Sequence, residues 1–261
     1  MPETRSAELI RTEIHERVAI VTLTNERRKN SLTVAMVEEF IDALNEIEAD
    51  QTMGAVIVTG AGDAFCAGAD LRHLVGAAGP DEQAEESLRS IYAAFQRLHA
   101  CPLPTIAAVN GPAVGAGMNL AMACDVILAS EDALFATRFL ELGLHPGGGH
   151  TWLLRQFVGA QVANALVLLG QDVDGARASE IGLALETVES DLLLERALEL
   201  GAKACIAPRG VAERAKASIR EAGGFADYAS AIENEIPKQL WSAQQDDFQQ
   251  RIAARMSPAR P

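Results

Sequence analysis

Twice in this chain a short apolar run stops at a turn built from glycine and alanine, and the turn opens a helical pattern. The first run, Ala55–Thr59, meets Gly60-Ala-Gly-Asp-Ala-Phe-Cys-Ala-Gly-Ala-Asp70. The second, Thr105–Asn110, meets Gly111-Pro-Ala-Val-Gly-Ala-Gly-Met-Asn119. An unalternating apolar run of this length reads as a strand covered on both faces. Val126–Ala129 is a third such strand. Helical patterns over Glu82–His99 and Ala116–Ala123 separate the three, and this strand–helix alternation predicts an α/β fold with parallel pairing. Before the first run, Leu9–Ile14 and Val18–Thr24 read as paired strands around a polar turn at His15–Arg17. Thr33–Ala49 reads as an amphipathic helix with Val34, Val37, Ile41, Leu44 and Ile47 on its apolar face.

The last third is helical: Gln161–Leu169, Gly175–Ile181, Leu192–Cys205 and Val211–Arg220, then a segment over Phe225–Met256 in which Pro237 predicts a kink or break. A soft boundary falls near residue 200, giving an α/β core over residues 1–200 and a helical region over residues 201–261.

The formal net charge of −14 over 261 residues disfavours nucleic acid and anionic membranes as partners, since both need concentrated Lys and Arg. A small polyanion needs only a local basic patch and backbone N–H groups, and stays possible. Cys66, Cys101, Cys124 and Cys205 form no C-x-x-C pair and no metal-ligand spacing, so they read as free thiols and no metal site is expected. The polar N-terminus lacks an apolar signal region and the apolar runs are too short to span a bilayer, so a cytoplasmic location is expected. Ala55–Gly62 imitates a nucleotide loop, but the next glycine after Gly62 is Gly68 and no G-x-G-x-x-G follows.

Small side chains let a ligand approach the backbone, and a helix start offers N–H groups without intrahelical acceptors. Two such N–H groups aimed at one point form an oxyanion hole, suited to a thioester carbonyl becoming an enolate or tetrahedral oxyanion. Tight packing alone accounts for either segment taken singly.

Taken together and in order, four segments resemble the crotonase (enoyl-CoA hydratase/isomerase) superfamily. Phe65-Cys-Ala-Gly-Ala-Asp70-Leu is similar to F-x-A-G-A-D-[IL], and Asn110 to Asp125 is similar to N-G-x-A-x-G-[GA]-G-x-x-L-x-x-x-C-D. Asn25 to Leu32 and Leu142 to Gly149 resemble the family's N-R-P-x-x-x-N-[AS]-[LM] and L-G-x-x-P-G-x-G. The resemblance implies a spiral of ββα repeats and a C-terminal helical region that mediates homotrimers, often paired into hexamers. It implies an acyl-CoA ligand, with coenzyme A as part of the substrate thioester and no permanently bound cofactor. Carried over by position, the oxyanion-hole donors are the N–H groups of Ala69 and Ala116, the latter preceded by Gly115. Ala67, Ala69, Asp70, Leu71 and Arg72 would border the adenosine and pantetheine, and Arg28, Lys29 and Arg72 are candidate cations for the phosphates.

The resemblance also locates what is missing. A hydratase of this family holds water between two glutamates; the corresponding positions here are Asn119 and Phe139. Asn119 can orient a water but cannot take its proton, and Phe139 fills space. Glu141, two residues away, and His145, in the following loop, are the substitute candidates. His145 and His150 read equally as helix caps or contacts to a neighbouring subunit, and Asp125 as structural. The functions in view are a hydratase/isomerase-type enzyme with a non-standard site, a thioester hydrolase or decarboxylase, and a non-catalytic acyl-CoA binder or carrier.

Overall fold

The computed structural model describes residues 8–70 and 82–256. Leu71 and Arg72 therefore lie outside the described residues. Strands β1 (Ile10–His15) and β2 (Val18–Leu23) form an antiparallel hairpin, and β2 starts a parallel series with β3 (Ala55–Gly60), β4 (Thr105–Val109), β6 (Val126–Ser130) and β9 (Glu186–Val188). A smaller sheet holds β5 (Pro112–Val114), β7 (Leu134–Ala136) and β8 (Val173–Asp174), and helix α5 (Gly175–Glu180) follows β8 in the chain. The chain leaves the large sheet after β4 for β5 and again after β6 for β7, with α3 (Ala116–Met122) between the two excursions. This is the winding of a crotonase-type spiral, and it is α/β as the alternation required.

Both faces of the large sheet are covered, which explains the unbroken apolar runs. On one face Val56, Val58 and Val21 pack with Val37, Phe40 and Leu44 of α1 (Val34–Ala49). On the other, Ala55, Ile57, Val18 and Ile20 pack with Leu193 and Ala197 of α6 (Leu193–Ala204). α1 starts at Thr33, whose hydroxyl accepts the Met36 N–H at 3.2 Å. It buries Met36 and Phe40 more deeply than Val34 and Ile41, so its apolar stripe is rotated from the one the spacing predicted. α6 runs across residue 200, the place where the sequence suggested a boundary, and stays packed under the sheet on both sides of it.

Three sequence expectations need correction. Helix begins at His150 rather than beyond Gly159, because α4 spans His150–Leu168 with a non-helical Gly159 inside it. α8 (Tyr228–Ala243) runs through Pro237, and the chain breaks instead between Ala243 and α9 (Asp246–Met256). The short strands β5, β7, β8 and β9 carry too few residues to show a period and were not predicted.

The helical end is fastened through Asp125. Its carboxylate accepts the Thr105 N–H at 2.8 Å and pairs with Lys216 at 2.5 Å and Arg220 at 3.0 Å, both on α7 (Arg209–Ala222). The Lys216 ammonium is buried and also donates to the Leu103 carbonyl at 2.6 Å. α8 packs on α7 with Arg214 stacked on Trp241. Ile232, Ile236, Leu240, Phe248 and Ile252 of α8 and α9 are exposed on the single chain. Among the described residues no helix is long and apolar enough to cross a membrane.

Candidate active site

The two small-residue turns meet in space. After β3, the buried Asn30 side chain donates to the carbonyls of Ala61 and Ala64, both at 2.8 Å, and fixes the first turn. Cys66 then pairs with Ala113 of β5 and Ala69 with Leu32, so residues 66–70 run as an extended arm between those two segments. The arm and α3 touch at backbone distance. A Cβ on Gly117 would lie 2.0 Å from the Cys66 carbonyl oxygen, and one on Gly68 (φ +100°) would lie 2.8 Å from that of Val114. Neither position admits another residue without displacing backbone. The same hypothetical Cβ of Gly68 is 3.6 Å from the Ala116 nitrogen, which sets the arm beside the start of α3.

At this crossing lies a cavity of about 200 Å³. The arm contributes Ala67, Gly68, Ala69 and Asp70, and the second turn contributes Gly115, Ala116 and Asn119. Backbone neighbours are bonded: Leu32 donates to Gly68, Asp70 to Leu32, and Gly115 to Ala136. The N–H groups of Ala69 and Ala116 have no backbone acceptor among the described residues. Apolar wall comes from Leu88, Ile91, Phe139, Leu142 and Leu144, and polar wall from Tyr92, Arg138 and His145. Tyr92, Leu88 and Ile91 stand on α2 (Glu82–Ala100) and were not anticipated. In the sequence they read as an ordinary amphipathic helix face.

Asn119 is buried and bonded at both ends of its amide. Its Nδ2 donates to the Gly147 carbonyl at 2.9 Å, which leaves its Oδ1 to accept from His150 Nδ1 at 2.7 Å. That arrangement assigns the hydrogen of His150 to Nδ1. Burial pushes the His150 pKa down to about 4, so the ring stays neutral at pH 7. The Phe139 ring stands edge-on to His150, with centroids 5.0 Å apart, and its tip is 3.6 Å from where a Gly115 Cβ would be. Phe139 thus lies against the turn that carries the Ala116 N–H.

The remaining candidates separate clearly. Glu141 does not line the cavity; its exposed carboxylate pairs with Arg138 at 2.7 Å, and Arg138 also pairs with Asp172. The inward-pointing Glu141 weighed from sequence is therefore not the arrangement present. His145 does line the cavity. Its Nδ1 lies 2.7 Å from the Pro146 carbonyl, which only accepts, so in the neutral ring Nε2 keeps the lone pair. Asp70 is the one carboxylate among the described lining residues, and it pairs with Arg28 at 2.8 Å. Lys29 accepts the Ala67 N–H on its carbonyl and places its side chain outside the cavity lining. Cys66, at the start of the arm, is buried, and that burial pushes its thiol up to about 12, away from the reactive thiolate. Among the described residues no cluster of His, Cys, Asp or Glu is placed to hold a metal ion.

A spiral α/β fold with a cavity at two crossed small-residue turns defines a crotonase-fold protein. The family profile for enoyl-CoA hydratase/isomerase matches residues 13–255. The chain is 43% identical over 246 residues to a probable enoyl-CoA hydratase, EchA14, of Mycobacterium tuberculosis, covering 92% of this chain and 94% of that one. It is 36% identical over 195 residues to the 1,2-epoxyphenylacetyl-CoA isomerase of Escherichia coli, covering 74% of each. Among solved structures, an enoyl-CoA hydratase from Bacillus anthracis superposes with a TM-score of 0.89 at 31% identity, covering 94% of this chain and 95% of that one. The chain belongs to the enoyl-CoA hydratase/isomerase family and is an enzyme of the hydratase/isomerase type.

Proposed function

We propose that this enzyme binds an acyl-CoA thioester with its carbonyl oxygen on the Ala69 and Ala116 N–H groups and moves a proton with His145, favouring double-bond isomerisation over water addition. The observation that carries this is the composition of the cavity wall: its one described carboxylate is paired with Arg28, while His145 lines it with Nδ1 on the Pro146 carbonyl, which leaves the neutral ring's lone pair on Nε2. A base at that nitrogen takes a proton from the acyl chain. The negative charge moves to the thioester oxygen, where two N–H donors stabilise it, and the proton returns to another carbon of the same conjugated system. Water addition needs a second positioned group to hold and deprotonate water, and Phe139 occupies that place with a ring. The resemblance implies that Ala67, Ala69, Asp70, Leu71 and Arg72 border the adenosine and pantetheine, with Arg28, Lys29 and Arg72 as candidate cations for the phosphates.

The test is deuterium exchange into 3-enoyl- and 2-enoyl-CoA in heavy water, followed by mass spectrometry with the wild type and His145→Ala. The wild type incorporates deuterium and interconverts the isomers, and His145→Ala slows both by about 10²–10⁴-fold. Equal rates in the two proteins rule out His145 as the base. A wild type that binds these thioesters without exchange is a carrier rather than an isomerase. The exposed apolar residues of α8 and α9 fit burial against further copies of the chain, as a homotrimer or hexamer. Light scattering at micromolar concentration that returns the mass of one chain would sink that assembly.

A further inference from the structure

The cavity holds a polar group that the proton-transfer scheme does not use. Tyr92 reaches from α2 to the loop before α4, and its phenol oxygen sits directly on the backbone there. A Cβ on Gly147 would lie 2.1 Å from that oxygen, so residue 147 must be glycine for the phenol to occupy its place. With its oxygen seated on that backbone, the phenol has one hydrogen of its own to give. Burial raises the phenol pKa, which keeps that hydrogen on the oxygen. No acceptor for it is recorded among the described residues, and Tyr92 lines the cavity. The ring is steadied by Phe95, with centroids 6.1 Å apart. On the same helix Leu88 and Ile91 line the cavity with apolar groups that offer the phenol no partner, and Ser87 lines it as well.

The position of the phenol along a bound ligand follows from Asn119. That side chain holds the carbonyl of the same Gly147 whose Cα the phenol covers. Asn119 lies three residues beyond Ala116 in α3, roughly 4.5 Å along the helix axis. With the thioester oxygen at Ala116, a group near Asn119 faces acyl carbons beyond Cα.

We propose that Tyr92 is a specificity-determining residue whose phenol O–H donates a hydrogen bond to an oxygen carried on the acyl chain, so that the preferred substrates are oxygenated acyl-CoA thioesters rather than plain hydrocarbon ones. The proposal rests on the thioester orientation given above. A hydrocarbon chain over Tyr92 covers a donor and leaves it unpaired, whereas a hydroxyl or carbonyl oxygen satisfies it.

The experiment measures dissociation constants by calorimetry for butyryl-, 3-hydroxybutyryl- and 4-hydroxybutyryl-CoA, with the wild type, Tyr92→Phe and His145→Ala. The wild type binds one hydroxy thioester roughly 10- to 100-fold more tightly than butyryl-CoA. Tyr92→Phe removes that preference by weakening the hydroxy ligand while butyryl-CoA binds as before or better. His145→Ala retains the preference, because His145 moves a proton and does not read the chain. An indifferent wild type overturns the proposal, and so does a preference that survives in Tyr92→Phe. Both comparisons are ratios within one protein, so a general loss of stability in the variant does not imitate the result. Absence of deuterium exchange in the wild type, with the Tyr92-dependent preference intact, would remove the isomerase reading and leave this one standing.

Discussion

Ala116→Pro is expected to lower the rate of deuterium exchange by about 10²–10³-fold, the usual effect of deleting one oxyanion-hole donor, while the protein still folds. Ala116 is the first residue of α3, the helix position where proline is best tolerated. Its N–H has no backbone acceptor among the described residues, so the fold loses no recorded backbone bond. The preceding Gly115 has φ 53° and ψ −109°, outside the helical region that a following proline disfavours. What changes is one donor in the cavity wall. Circular dichroism and a thermal melt check the fold, and exchange into a 3-enoyl-CoA measures the effect. An unchanged exchange rate in a folded variant would show that the thioester oxygen sits elsewhere.

Hydration of crotonyl-CoA should be weaker by about 10²–10⁴-fold than in a relative with both glutamates, the range associated with one positioned acid–base group. Asn119→Glu alone should recover little. A carboxylate there loses the amide hydrogen that now holds the Gly147 carbonyl, and Phe139, which by the resemblance stands for the second glutamate, is still no carboxylate. The double variant, Asn119→Glu with Phe139→Glu, should exceed the single one by about tenfold or more, since it removes the ring and supplies both carboxylates. Efficient hydration by the unmodified enzyme would defeat this reading. Glu141→Gln and His145→Ala, measured separately, would then identify the base in use.

The sequence made the fold legible wherever a backbone constraint needs a particular residue. Gly68 and Gly117 stand where a Cβ would meet a carbonyl oxygen, and that requirement is why two glycine-rich turns in order are so informative. Burial of β2, β3 and β4 on both faces left the same kind of trace as continuous apolar runs. Legibility failed where the cause is tertiary. Tyr92 occupies a place in an amphipathic helix that any large residue fills, and only the Gly147 backbone beside it marks its phenol as special. The Asn119–His150 bond joins residues 31 apart, and no local pattern announces it. Glu141, two residues from the expected place, was a substitute candidate by proximity, yet its exposed carboxylate pairs with Arg138. Helix α4 hid its first half because Gly149 precedes it without a side-chain cap.

The contact between Gly117 and the Cys66 carbonyl has a consequence for how such a chain changes over time. At that crossing the amino-acid alphabet shrinks to a single letter. Residues 119, 139 and 145 instead line the neighbouring cavity. The room for variation is therefore uneven: a side chain at Gly117 or Gly68 would displace backbone, whereas residues on the cavity wall meet no such limit from the crossing itself. The crossing can thus keep its shape while the wall of the cavity beside it is rebuilt by substitution.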